Sequence, residues 1–99
     1  MFQKFEFTQT EDDLFENILK TEDMLLNHVV MEVGKAFPRH ATDAEVFMII
    51  NKGEVTVELE VGSEQTFSAG QVLNIPMGTE TTLSNKSQSI TELFVIKRM

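Results

Sequence analysis

Two histidines, His28 and His40, are the only imidazoles in this 99-residue chain, and there is no cysteine. Disulfides, thiolate metal sites and thiol nucleophiles are therefore excluded. His40 follows Arg39 in a stretch rich in Gly, Pro and Lys. An imidazole there serves as a metal ligand or acid–base group, or is a half-exposed loop histidine. Glu45 ends the polar run Asp43-Ala44-Glu45, and reads either as a catalytic carboxylate or as the polar lead into a strand. His28 lies in the apolar run Met24 to Val33, with Leu26 and Val30 on its face at period two, which suits a structural or interface histidine. Thr79, Thr81 and Thr82 offer neutral hydroxyls, although threonine also favours strands for its shape alone. No phosphate-cradling glycine loop, serine elbow or H-E-x-x-H metal helix is present.

The elements that must hold these groups fall into two kinds. Thr10 to Lys20 reads as a short helix, with Thr10 as cap, acids in the first turn and Lys20 in the last. Leu14 with Ile18, and Phe15 with Leu19, repeat at i,i+4 and make an apolar stripe. From Met24 onward the pattern is of strands: Met24 to Val33, Val46 to Ile50, Val55 to Leu59, Gln65 to Phe67, Val72 to Ile75, Thr81 to Ser84 and Ile90 to Ile96. Turns are marked by Lys52-Gly53, Gly62-Ser63, Ala69-Gly70, Pro76-Met77-Gly78 and Asn85 to Ser89. Short strands at this spacing predict an antiparallel sandwich or barrel. The continuous block Val46 to Ile50 predicts cover on both faces, from the N-terminal helix or from a second subunit.

Length limits the chain to one domain, divided here into an arm with a short helix over 1–23 and a barrel over 24–99. A net charge of -8 excludes general nucleic-acid binding, which needs cations facing phosphates. No apolar run is long enough for a membrane span, and the first residues lack a signal-peptide core, so a cytoplasmic protein is expected. Lys35 and Arg39 form a local basic rim able to steer an anionic metabolite, or a solvated loop. Met31, Met48 and Met77 could line an adaptable apolar pocket or pack an ordinary core.

Two spaced motifs resemble those of the cupins, small jelly-roll barrels. Gly70, Pro76, Gly78 and Asn85 match the pattern G-x5-P-x-G-x2-H-x3-N, with Thr81 in the histidine position. Gly34, His40 and Gly53 match G-x5-H-x-H-x3-E-x6-G, with Thr42 in the second histidine position and Val46 in the glutamate position, one residue after Glu45. The resemblance implies an all-β antiparallel jelly-roll barrel, here with a short N-terminal α-helix. In the family two His, one Glu and a third His hold a divalent transition metal, suited by imidazole and carboxylate donors. Only His40 keeps its position, so no cofactor is predicted. A divalent transition metal would need Glu45 brought inward by a bulge.

The resemblance leaves three readings open. The first is a metal-free barrel binding a small, anionic molecule through His40, Thr42, Glu45 and Thr81. The second is a divergent metal-dependent dioxygenase or isomerase using His40 and Glu45. The third is a non-enzymatic dimeric assembly module. A homodimer is expected in any case, from the block Val46 to Ile50, from small cupins that pair through sheet faces, and from Phe2, Phe5 and Phe7 in a tail too short to fold alone.

Overall fold

Val55 and Val57 join the core while Glu54 is exposed and Thr56 meets Thr66 of the neighbouring strand, so the alternation read in this segment becomes a strand with its valines inward. It is β5 (Glu54–Glu60) of a computed structural model that describes residues 1–60 and 62–99. The other strands are β1 (Leu14–Lys20), β2 (Met24–Met31), β3 (Ala36–Ala41), β4 (Glu45–Lys52), β6 (Ser63–Ser68), β7 (Val72–Ile75), β8 (Glu80–Ser84) and β9 (Thr91–Arg98). They form a five-stranded sheet in the order β1-β2-β9-β4-β7 and a four-stranded sheet in the order β3-β8-β5-β6, antiparallel throughout. The two sheets face one another as an all-β jelly roll. Among the described residues no helix is long and apolar enough to cross a membrane.

The expected N-terminal helix does not form; its residues make β1. Leu14 to Asn17 pair in register with Val30 to Asn27, and a bulge between Asn17 and Leu19 shifts the phase of the remainder. A bulge lets apolar residues spaced by four serve a strand as well as a helix. A single short helix gains little on its own, whereas β1 completes a hydrogen-bond ladder along the edge of β2. His40, expected in a loop, lies instead in β3. Pro38 is tolerated there because β3 is an edge strand, and the β3–β8 register is irregular between Phe37 and His40.

The core is built from inward residues of both sheets: Val29 and Met31 of β2, Val46, Met48 and Ile50 of β4, Val55 and Val57 of β5, and Leu93 and Val95 of β9. Two turns close it. Gly53 has φ 73°, and a side chain there would collide with the Ile90 carbonyl, so the β4–β5 turn requires glycine. Buried Asn85 donates from Nδ2 to the carbonyls of Met31 (2.9 Å) and Ser89 (2.8 Å), tying the β8–β9 loop to β2.

Within the single chain the outer face of β4 is left partly open. Phe47 is half-buried and Ile49 is 37% exposed. On the neighbouring β7, Val72 is 62% exposed.

Candidate functional site

The site grows from one pairing. In the β3–β8 ladder His40 stands opposite Thr81, on the sheet that roofs the barrel. Thr42 follows where β3 ends, and its position is fixed by the Pro76–Thr79 turn. Its amide donates to the Thr79 carbonyl (3.1 Å), and its carbonyl accepts from the Gly78 amide (2.9 Å). Its hydroxyl donates to the Pro76 carbonyl at 2.9 Å. The glycine and proline of the second motif therefore serve to hold Thr42 beside Thr81.

These three residues share the wall of one cavity between the sheets, of about 170 Å³. Phe15, Val29, Phe37, Met48, Leu83 and Val95 give it an apolar body. Asn27 and Lys97 join His40, Thr42 and Thr81 as the polar groups. His40 Nδ1 lies 3.1 Å from the Pro38 carbonyl, which assigns the proton to Nδ1 and leaves Nε2 without that role. Thr81 is buried, whereas His40 is exposed at the mouth.

Glu45 does not line this cavity. Period-two alternation turns Val46 inward and Glu45 away, and the Glu45 carboxylate lies 3.5 Å from Arg98 Nη1. The basic rim is engaged elsewhere too. Arg39 donates to the Leu59 carbonyl and approaches Glu80 at 3.8 Å, and Lys35 sits 5.8 Å above the Phe37 ring. Of the three methionines, Met48 lines the cavity, Met31 is core, and Met77 is exposed in its turn.

Lys97 is the cation that sequence reasoning missed. Leu93, Val95 and Lys97 alternate along β9, so the lysine stem follows two core residues into the barrel. Its ammonium lies 3.3 Å from Asp43 Oδ1, and that hydrogen bond, with the lysine charge, holds the Asp43 carboxyl below its ordinary value. The signal was strand parity, legible once β9 is known to run to Arg98.

A second cluster occupies the opposite face of the larger sheet. His28 is fully buried, with Nδ1 2.8 Å from Glu16 Oε2 and Nε2 2.8 Å from Glu92 Oε2. Both bonds can be donated together only by the protonated ring. Asn51 donates to the other Glu92 oxygen. The His28 ring stacks on Phe94 with centroids 5.0 Å apart, and Phe7 of the N-terminal arm packs against both rings.

The sequence profile of the cupin domain matches residues 27–97. This chain belongs to the cupin family. An uncharacterised protein of Methanocaldococcus jannaschii is 32% identical over 82 residues, spanning 83% of this cupin and 71% of that protein. The crystal structure of that same protein, an RmlC-like cupin with a double-stranded β-helix fold, superposes with a TM-score of 0.93 at 28% identity, covering 99% of this chain and 91% of that one. A cupin superfamily protein from Desulfitobacterium hafniense gives 0.80 at 11% identity, over 95% and 84% of the two chains, a likeness of fold alone.

The family's metal does not fit the residues of this cupin. The cavity presents one imidazole, two hydroxyls, one amide and one ammonium, and the glutamate position holds Val46. Among the described residues, no group of three or more His, Cys, Asp or Glu side chains is arranged to hold a metal ion. Hydroxyl and ammonium groups do not replace imidazole and carboxylate as ligands for a divalent transition ion.

Proposed function

We propose that this cupin binds a small organic molecule in its barrel cavity, held by side-chain polar groups in place of a metal. The observation that carries the reading is the wall itself: an apolar body with His40, Thr42, Thr81, Asn27 and Lys97 around it, and Val46 in the glutamate position. A cavity of roughly 150 Å³ with an apolar lining admits a benzene-sized molecule. The orientation of Glu45 toward Arg98 speaks against the metal-dependent enzyme built on His40 and Glu45. Elemental analysis of protein purified without chelator tests the proposal. Substoichiometric transition metal is expected, and one equivalent lost on His40→Ala would overturn it.

We further propose a homodimer, because the outer face around Ile49 and Val72 is apolar and open. Phe2 (102%) and Phe5 (48%) are exposed on an arm whose Phe7 already rests on Phe94 of the same sheet. Light scattering at micromolar concentration is expected to give twice the chain mass, and the single-chain mass overturns it. A dimer unaffected by deletion of residues 1–7 would keep the pairing and discard the arm.

A further inference from the structure

Sixteen acidic against eight basic side chains give this protein a net charge of -8, yet among the described residues no Asp or Glu lines the barrel cavity. Among the described residues, the one fixed-charge side chain in its wall is Lys97. Within a low-dielectric wall even a charge partly offset by a solvent-exposed partner counts for more than one at the open surface.

The placement of Lys97 shapes what it can hold. Its side chain is 29% exposed, while that of its partner Asp43 is 83% exposed, so Asp43 meets the ammonium from the solvent side. An ammonium has three donors, and Asp43 Oδ1 at 3.3 Å accepts one of them. The ammonium's two other donors have no protein acceptor among the described residues. Beyond the ammonium the wall is aromatic and aliphatic, from Phe15 and Phe37 to Val95.

We infer that the ligand of this cavity is a monocarboxylate with a compact apolar body, its carboxylate on Lys97 and its body between Phe15, Phe37 and Met48. This rests on the cavity being a ligand site, and adds the chemical class. A dianionic or strongly polar metabolite is disfavoured because most of the wall would leave its polar groups unpaired. A cation is disfavoured because it meets Lys97.

The test uses three probes of one shape and different charge: benzoate, benzyl alcohol and benzylamine, titrated into the full chain and followed by amide chemical shifts. Benzoate is expected to bind at least about tenfold more tightly than benzyl alcohol, the worth of one charge-assisted hydrogen bond, and benzylamine not at all. Lys97→Met keeps the stem and removes the charge, so it is expected to abolish the preference for benzoate while benzyl alcohol still binds. Lys20→Met, which removes an exposed cation at the end of β1, is expected to leave the preference intact. Equal affinity for benzoate and benzyl alcohol in the native protein overturns the assignment, as does a preference that survives Lys97→Met. The native comparison stands even if that variant fails to fold. If none of the three probes binds, the cavity reading falls, and this inference with it.

Discussion

Thr8 and Glu16 fasten the N-terminal arm to the barrel. The Thr8 amide and hydroxyl both donate to the Glu16 carboxylate, at 2.8 and 2.9 Å. Because the same carboxylate also faces His28, one side chain of β1 links an arm without secondary structure to a buried imidazole and, through it, to Glu92.

Acid is therefore expected to loosen this face. The Thr8 amide, then His28, hold the Glu16 carboxyl below its ordinary value of 4.5. Burial pushes Glu92 up, but hydrogen bonds from Asn51 and His28 and the charges of His28 and Lys52 outweigh it, leaving it lowered as well. Both groups bind protons more tightly in the unfolded chain. Their stabilisation is thus complete above about pH 5 and is lost as pH falls through their folded-state values below 4.5. Urea denaturation midpoints measured from pH 7 to 3 are expected to fall in this window, with a smaller drop in Glu16→Gln.

Removing the imidazole is expected to cost more than removing a contact. His28→Phe leaves Glu92 and Glu16 facing an apolar ring without their shared partner. The expected loss is about 3–5 kcal/mol in chemical denaturation at pH 7. Adding Glu16→Gln and Glu92→Gln to His28→Phe is expected to restore part of it, because the uncompensated charges are then gone.

The glycines of the turns are expected to separate by what surrounds them. Gly34 has φ 86° with open space around it, so Gly34→Ala is expected to cost about 1–2 kcal/mol of backbone strain. At Gly53, with φ 73°, an added Cβ would stand 2.2 Å from the Ile90 carbonyl oxygen. Gly53→Ala is expected to lose at least about 1 kcal/mol more, read as the difference between two thermal unfolding curves.

Metal binding is expected to be recoverable by restoring the ligand types. Thr42→His, Val46→Glu and Thr81→His together with His40 place three imidazoles and a carboxylate at the family's positions, and about one equivalent of a divalent transition ion is expected by elemental analysis. Val46→Glu alone is expected to destabilise the barrel by about 1–3 kcal/mol, since it puts a carboxylate into an apolar wall with one imidazole nearby.

The strands from Met24 onward were legible because turns and alternation agreed: Gly53, Gly70 and Gly78 all adopt positive φ where turns were read. The segment Leu14 to Lys20 was not, since a bulge at Ile18 lets one apolar pattern satisfy two periods. Neither was β3, where Phe37 is the one large apolar residue among Pro, Arg and His. Motif position singles out His40, Thr42 and Thr81 as candidates, and the structure brings all three to one cavity wall while turning Glu45 away. Lys97 and the carboxylates around His28 depend on facing and register across strands distant in sequence, which local pattern does not carry.

Asn27 and His28 are chain neighbours, yet one lines the cavity and the other is locked among carboxylates behind the same sheet. The pleat thereby assigns two tasks to alternate letters of one strand. Drift at Thr42, Thr81 or Lys97 changes the polar lining of the cavity without touching the cluster that anchors its back. Such a scaffold separates its two tasks in a specific sense: a combinatorial library at Thr42, Thr81 and Lys97 is expected to yield mostly folded members, whereas one at Glu16, His28 and Glu92 is expected to yield mostly collapsed ones.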